Sequence, residues 1–210
     1  MPLRVIHMLR HFRLTTVLAL TATLALATPA AAGSDPVAFV NNLGNHFQAV
    51  ATNPSAAQRL AGFRQLFREN FDIPGLGRFV LGRFARMLSP MEQQQFLALF
   101  ETYVVYAYSD RLSDFAADGT LPRVTGSRLD ADGAIVSSEV IRVRAGQPIK
   151  VDWRLTWRDG VYKISDLFID GFSMAVAGRD QLEGVVERND GRPQAILAVM
   201  RQECARAAPP

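Results

Sequence analysis

Few side chains of this sequence could make or break bonds. It contains three histidines and one cysteine, and two of the histidines, His7 and His11, lie in an N-terminal segment that is typical of a cleaved leader. His46 and Cys204 are left. A structural zinc site uses about four Cys or His ligands, and a disulfide needs two cysteines. The remaining chain is therefore predicted to form neither.

Ser173 is the strongest candidate nucleophile. Gly171-Phe-Ser173-Met-Ala175 follows a predicted strand and partly matches the G-x-S-x-G nucleophile elbow. Two features are missing: Ala175 replaces the last glycine, and no histidine follows Ser173 in the chain. A hydrolase of this type needs that histidine as its general base. We therefore interpret Ser173 as a turn residue.

A second candidate is a row of carboxylates. Asp110, Asp114 and Asp118 recur every four residues, so on a helix they would share one face and could meet a cation. Calcium sites, however, usually take their ligands from a loop with a glycine turn, and here Asp110 is followed by Arg111. The spacing is more typical of a solvated helix face.

Asp166 is the third candidate. The turn dipeptide Asp159-Gly160 predicts a hairpin whose register places Asp166 opposite Trp153 on an apolar face. A buried carboxylate needs hydrogen-bond donors or a raised pKa. It is either the general base of an NTF2-like small-molecule enzyme or a structural carboxylate that accepts hydrogen bonds from the Trp153 indole, a backbone N–H or an arginine. No second catalytic group accompanies it, which favours the structural role.

The first 32 residues have the pattern of a secretory signal peptide. Three arginines precede an apolar run over residues 14–27, and residues 30–32 are alanines. We predict cleavage before Gly33 and a single domain over residues 33–210. Removing three of the 23 basic residues leaves 20, which equals the number of acidic residues. This balance predicts neither a nucleic-acid footprint nor a polybasic membrane patch.

The apolar spacing changes once along the chain. A helical period predicts four helices up to about residue 116, and two further helices near residues 179–188 and 193–206. Between them an alternating pattern predicts strands over residues 134–144, 149–158 and 161–170. This order predicts an α+β fold: a curved antiparallel sheet of about four strands, covered by N-terminal and C-terminal helices and enclosing an apolar pocket.

The longest predicted helix, over residues 90–116, is apolar around most of its circumference. Ser89, Pro90 and Glu92 predict its start as a capping box with proline in the first turn. A helix of this kind needs apolar neighbours on two sides. We expect the sheet on one side, and further helices or a bound apolar ligand on the other.

Seven stretches of the sequence, taken together, resemble the MlaC family, also called the toluene-tolerance auxiliary family. The first three are FDIPGLGRFVLGR at residues 71–83, SPMEQQQFLALF at 89–100 and YSDRL at 108–112. The others are VDWRL at 151–155, DGVYKISD at 159–166, IDGFSM at 169–174 and AILAVMR at 195–201. The resemblance covers nearly all of the chain after the leader.

The resemblance implies a monomeric protein in the periplasm of a Gram-negative bacterium, with an NTF2-like or MlaC-like fold. Such a protein carries phospholipid as cargo between an outer-membrane lipoprotein complex and an inner-membrane ABC transporter with an MCE subunit, and so serves outer-membrane lipid asymmetry. No catalytic residue, metal or cofactor is implied. A hopanoid-associated branch of the same family remains an alternative that would change the cargo and the partners.

Combined with the apolar pattern, the resemblance predicts that acyl chains contact a set of mostly aromatic and aliphatic side chains. The set comprises Phe79, Val80, Phe84, Met87, Phe96, Phe100, Tyr103, Val104, Val151, Trp153, Leu155, Ile164, Phe172, Met174 and Met200. Arg78, Arg83 and Arg86 are candidates for binding the lipid phosphate at the mouth of the pocket.

Overall fold

The computed structural model of the chain describes residues 35–117, 121–141 and 147–207, with the side chains of residues 109–117 and 207 left aside. The N-terminal helices are α1 (Pro36–Ala51), α2 (Ala56–Asn70), α3 (Ile73–Leu81), a 3₁₀ helix (Gly82–Met87) and α4 (Pro90–Ala117). The strands are β1 (Arg123–Asp130), β2 (Gly133–Val140), β3 (Ile149–Arg158), β4 (Val161–Ile169) and β5 (Phe172–Ser173). Two helices follow, α5 (Met174–Glu187) and α6 (Gln194–Ala207).

The five strands form one antiparallel sheet in which each strand lies beside its neighbour in the chain, in the order β1-β2-β3-β4-β5. The register shifts between β1 and β2 at Val124 and Gly126, and between β3 and β4 at Arg154 and Leu155. Bulges of this kind bend a strand and increase its twist. The predicted fold class is confirmed: a curved antiparallel sheet with helices before and after it.

The bulge in the β3–β4 hairpin corrects one part of the predicted register. Trp157 lies opposite Tyr162, and Leu155 opposite Ile164, as the Asp159-Gly160 turn predicts. Asp166, however, lies opposite Arg154 and not opposite Trp153. The extra residue is Ser165, because Leu155 pairs with Ile164 while Arg154 pairs with Asp166. The prediction counted residue pairs outward from the turn and assumed uninterrupted pairing of the two strands, so it could not detect the bulge.

Side-chain caps set the starts of the helices. Asp35 caps α1, Ser55 caps α2 and Asp72 caps α3, each accepting a hydrogen bond from a backbone N–H of the first turn. Ser173 does the same for α5, with 3.0 Å between its Oγ and the Val176 nitrogen. The helix predicted to begin at residue 179 therefore begins five residues earlier, at Met174.

Ser89 and Glu92 form the predicted capping box of α4. The Glu92 carboxylate accepts hydrogen bonds from the Ser89 backbone N–H at 2.7 Å and from its hydroxyl at 2.8 Å, while Ser89 Oγ accepts from the Glu92 N–H at 3.3 Å. The backbone hydrogen bond from Ser89, followed by that from the hydroxyl, lowers the pKa of Glu92. The ionised carboxylate therefore stabilises the start of α4.

The apolar interior consists of two clusters. The helical cluster is built from α2 to α6 with the 3₁₀ helix, and its buried members include Phe63, Phe67, Val80, Leu81, Phe84, Leu88, Phe96, Phe100, Leu182, Val185, Ile196 and Met200. The sheet cluster lies between α1 and the sheet and consists of Val40, Leu43, Ala134, Val136, Leu155, Tyr162 and Ile164. Leu66 and Phe71 pack against both clusters. We call this region between them the seam.

The long helix α4 has different neighbours from those expected. It packs mainly against α6 and α2, and also against α1 and α3, while the helices that cover the sheet are α1, α2, α3 and α5. The expectation that α4 faces the sheet is therefore wrong, and other helices provide its apolar surroundings. Gly77 permits the approach of α3, because a Cβ there would lie 2.4 Å from Leu97 Cδ2.

Residues Ala31–Pro210 form one compact unit. The predicted signal peptide at residues 1–32 lies outside the described residues and stays a prediction. Among the described helices, none is both long enough and apolar enough to cross a membrane.

The capping box generates a prediction about pH. A carboxyl whose pKa falls on folding stabilises the protein above its ordinary pKa, and this stabilisation disappears as the pH drops through the lowered value. We expect Glu92→Gln to lower the urea midpoint of unfolding at about pH 7 and to change it little at about pH 3. Glu187→Gln, at an exposed position of α5, is the control. An equal loss for Glu92→Gln at both pH values would contradict the capping role.

Candidate functional site

The structure distributes the fifteen predicted site residues over the two apolar clusters, two positions outside them and the surface. Those in the helical cluster are Val80, Phe84, Phe96, Phe100 and Met200, with Tyr103 and Val104 half-buried at its edge. Those in the sheet cluster are Leu155 and Ile164, with Trp153 packed against it. Val151 is buried on β3 outside both clusters, and Met174 is half-buried in the first turn of α5. Phe79, Met87 and Phe172 lie on the surface.

The helical cluster brings together side chains from distant parts of the chain. Phe96 and Phe100 lie one turn apart on α4 with ring centroids 5.6 Å apart, and they share the cluster with Phe84 of the 3₁₀ helix and Met200 of α6. Tyr103 continues this side of α4, and its hydroxyl accepts a hydrogen bond from Gln181 of α5 at 2.9 Å. The result is an apolar interior with one polar anchor at its edge.

The seam is held by backbone contacts as well as by side chains. Phe71 pairs with Ile164 in a parallel bridge, and the Asp72 N–H donates to the Ile164 carbonyl at 2.9 Å. Phe71 also packs against Phe67, with ring centroids 4.6 Å apart. These contacts tie the end of α2 to β4, which no local sequence pattern predicts. They position the helical cluster on the sheet.

A cavity of about 420 Å³ opens beside the seam. Its lining mixes apolar and charged groups: Arg68, Phe71, Asp72, Pro74, Arg158, Asp159, Val161 and Lys163. The cations here already have partners. Arg68 pairs with Glu101 at 2.5 Å, Arg158 Nε lies 3.3 Å from Asp72 Oδ2, and Lys163 donates to the Glu69 carbonyl. The cavity therefore has a mixed lining, in which the cations are paired and Phe71, Pro74 and Val161 are the apolar members.

A smaller cavity of about 150 Å³ lies between α4 and α6, lined by Tyr103, Tyr106, Ala107, Glu203 and Cys204. The Cys204 thiol lies 3.9 Å from the Leu99 carbonyl oxygen. Partial burial raises the pKa of Cys204, so this thiol is a poor nucleophile at neutral pH.

Asp166 is buried, as predicted, and its partners identify its role. It accepts hydrogen bonds from the Ser173 hydroxyl at 2.5 Å, the Ala175 N–H at 3.0 Å and the Leu167 N–H at 2.8 Å. The Trp153 indole donates instead to Ser138 Oγ at 2.9 Å. Asp166 therefore joins β4 to the start of α5, where a carboxylate also interacts favourably with the helix dipole. This geometry supports the structural interpretation.

Ser173 is part of the same arrangement. Its hydroxyl donates to Asp166 and accepts from the Val176 N–H, so both hydrogen-bonding directions serve the start of α5. This agrees with the interpretation of Ser173 as a turn residue. Of the carboxylate row, Asp110 and Asp114 lie in α4 without described side chains, and Asp118 lies outside the described residues. Among the side chains that are described, no group of three or more potential ligands could hold a metal ion.

The candidate phosphate ligands Arg78, Arg83 and Arg86 are exposed on α3 and the 3₁₀ helix. They do not line the cavity beside the seam, whose arginines are Arg68 and Arg158. A role for the three arginines at the mouth of the pocket thus has no support from their position.

Comparison with known protein families assigns the chain to a family. A family model described as MlaC protein matches residues 40–202, which is more than half of the chain. The chain belongs to the MlaC family. The matched range includes the buried members of both apolar clusters and the seam, since it contains α2 to α5 and most of α6.

A solved structure supports the same fold. The chain is similar to a phospholipid-binding protein from Ralstonia solanacearum that was solved in complex with a phospholipid. The TM-score is 0.68 at 20% identity, and the similarity covers 82% of this chain and 98% of that one. The two proteins therefore share the MlaC-like fold. A search of curated proteins gave no significant match.

The Asp166 network generates a prediction about stability. Asp166→Ala leaves the buried Ala175 N–H and the Ser173 hydroxyl without their acceptor, and an unsatisfied buried donor costs about 1–3 kcal/mol. We expect the variant to lose about 2–3 kcal/mol of unfolding free energy, measured by urea denaturation. Asp152→Ala, on the neighbouring strand β3, should lose less than about 0.5 kcal/mol. Equal stability of the two variants would contradict the proposed network.

Proposed function

We propose that this MlaC-family protein is a periplasmic lipid carrier that binds the acyl chains of phospholipids in its apolar interior. One observation carries this proposal: a similar fold, covering 98% of the relative's chain, was solved with a phospholipid bound. The described residues of this chain provide a suitable interior, because two apolar clusters meet there at a seam. The carrier delivers its cargo between an outer-membrane lipoprotein complex and an inner-membrane MCE and ABC transporter complex. It acts as a monomer.

The physical basis is burial of hydrocarbon. Transfer of one CH₂ group out of water gains about 0.8 kcal/mol, so even part of an acyl chain provides substantial binding free energy. A bilayer offers the same gain, and a carrier therefore binds and releases lipid with little net change. This balance needs an adaptable apolar interior and little headgroup chemistry. Met200 in the helical cluster is such an adaptable side chain.

The seam is the place where we expect the acyl chains to enter. Tightly packed side chains occupy both clusters, and lipid can be accommodated only if packed elements move apart. The seam joins two separately packed clusters through Leu66 and Phe71, and an open cavity lies directly beside it, with Phe71 in its wall. Separation along the seam would keep each cluster intact.

The same assignment makes the protein a binding protein with no turnover. Bound phospholipid is its cargo, and no cofactor is needed. Asp166, the best candidate for a general base, already directs its hydrogen bonds to β4 and α5. The enzyme alternative therefore has no free acid or base at this position to act on a substrate.

Native mass spectrometry of the protein, purified from the periplasm without detergent, tests the proposal. Adducts of phospholipid mass that release diacyl lipid on denaturation would support it, and cleavage before Gly33 would be visible in the same spectrum. Hopanoid adducts would assign the protein to the sister branch. A folded protein without any lipid adduct would contradict a carrier function.

Tyr103 offers a variant test of the interior. Tyr103→Lys places a charge at the half-buried edge of the helical cluster, at a position that the sequence predicts to contact an acyl chain. We expect lipid that co-purifies with the folded variant to fall by at least about tenfold, which corresponds to about 1.4 kcal/mol. Gln94→Lys, at an exposed position of the same helix, should retain its lipid. Full lipid occupancy in a folded Tyr103→Lys protein would show that Tyr103 is not part of the site.

A further inference from the structure

The segment over residues 73–91 has an unusual composition. It contains three arginines, Arg78, Arg83 and Arg86, and no acidic residue, although the chain after the predicted leader has as many acidic as basic residues. All three arginines are exposed on α3 and the 3₁₀ helix. The overall charge balance predicted no polybasic membrane patch, but a balance over the whole chain does not show how charges are distributed locally.

Large apolar side chains lie between these arginines. Phe79 is 40% exposed, Met87 is 55% exposed, and Met91, at the start of α4, is 68% exposed. Single exposed apolar residues are common, but a group along one segment indicates an interaction site. Arg83 and Arg86 lie three residues apart in the 3₁₀ helix, which places them on one side of it. We call Arg78, Phe79, Arg83, Arg86 and Met87 the arginine–methionine surface.

The opposite side of this segment is anchored in the protein interior. Val80, Leu81, Phe84 and Leu88 are buried in the helical cluster. Because the inner side chains are packed, the orientation of the outer ones is set by the fold. The exposure of the surface therefore does not depend on a loop rearrangement.

Arg179 of α5 fixes the centre of the surface. Its Nε and Nη2 donate to the Phe79 carbonyl at 2.9 and 2.7 Å, and its guanidinium carbon lies 3.8 Å from the centroid of the Phe79 ring. This contact satisfies a carbonyl near the C-terminal end of α3. It also places a fourth positive charge beside the exposed aromatic ring.

Acidic partners around these charges are sparse. Arg83 Nη2 lies 3.7 Å from Glu183 Oε1, a long and solvent-exposed pair that contributes little. Within the described part of the chain, Arg78 and Arg86 form no ion pair and no side-chain hydrogen bond. Guanidinium groups without such partners are available to bind phosphate in a bidentate manner.

We propose that the arginine–methionine surface docks the protein on a lipid bilayer that carries anionic headgroups. The arginines contact lipid phosphates, while Phe79 and Met87 enter the boundary between headgroups and acyl chains. An acidic protein face would match the charges but would leave Phe79 and Met87 without a role. This proposal rests on the proposed carrier function, in which the protein meets complexes that are embedded in membranes.

Vesicle co-sedimentation tests this docking with the chain Gly33–Pro210. One set of vesicles contains phosphatidylcholine alone, and the other contains phosphatidylglycerol in addition. We expect binding only to the anionic vesicles, and binding that weakens as salt is raised. The double variant Arg78→Glu/Arg86→Glu should bind at least about tenfold more weakly, and Met87→Ser should weaken binding without a change in charge.

A matched control keeps the test specific. Arg128 and Arg154 are exposed on β1 and β3, and the double variant Arg128→Glu/Arg154→Glu has the same net charge as Arg78→Glu/Arg86→Glu. It should bind within about twofold of the parent. Equal weakening by both double variants, binding that ignores lipid charge, or no vesicle binding by the parent would each overturn the proposal.

Native mass spectrometry of the same proteins separates this proposal from the carrier function. Arg78→Glu/Arg86→Glu should keep its co-purified lipid while it loses vesicle binding. Loss of lipid from this variant, with lipid retained in the parent, would instead assign these arginines to the cargo site. A parent protein without lipid would argue against the carrier function, whatever the vesicle result.

Discussion

The pairing of Phe71 with Ile164 is the contact that joins the two halves of this fold. At this point the end of α2 continues as extended chain beside β4, and the Phe71 side chain reaches both apolar clusters. Further hydrogen bonds reinforce this junction: Lys163 of β4 donates to the Glu69 carbonyl of α2, and Asp166 of β4 accepts from the Ala175 N–H of α5. The proposed carrier function needs an interior that is well packed yet can be divided, and two clusters that meet at the seam satisfy both requirements.

A polar group two residues further along β4 has a complementary role. Asp166 is buried, and its hydrogen bonds orient the turn into α5 and satisfy an N–H group at the start of that helix. The position of α5 in turn determines where Arg179 meets Phe79. The Asp166 carboxylate, which resembles a catalytic base in the sequence, thus positions the helix that contributes Arg179 to the arginine–methionine surface.

The MlaC family assignment and the local distribution of charge address different steps of lipid transfer. The interior concerns how hydrocarbon is kept from water, which depends on apolar area and adaptable packing. The arginine–methionine surface concerns the proposed docking on a bilayer, which depends on electrostatic attraction at short range. Because the two regions share α3 and the 3₁₀ helix, with buried residues on one side and exposed residues on the other, a movement of this segment would affect both.

The sequence by itself determined the long helices, the three central strands and the hairpin turn, but not β1, β5 or the 3₁₀ helix. These features follow from interactions within a few residues: the Ser89–Glu92 box closes locally, and Asp159 and Gly160 both adopt the positive φ of a type I′ turn. Only the tertiary structure decided the Ser165 bulge, the helical surroundings of α4 and the outward orientation of Phe79, Met87 and Phe172. Each of these features depends on which distant element packs against the segment. Apolar periodicity shows which side of a helix or strand is buried, but not which element covers that side. For the same reason, the equal numbers of acidic and basic residues did not reveal the local group of arginines in the arginine–methionine surface.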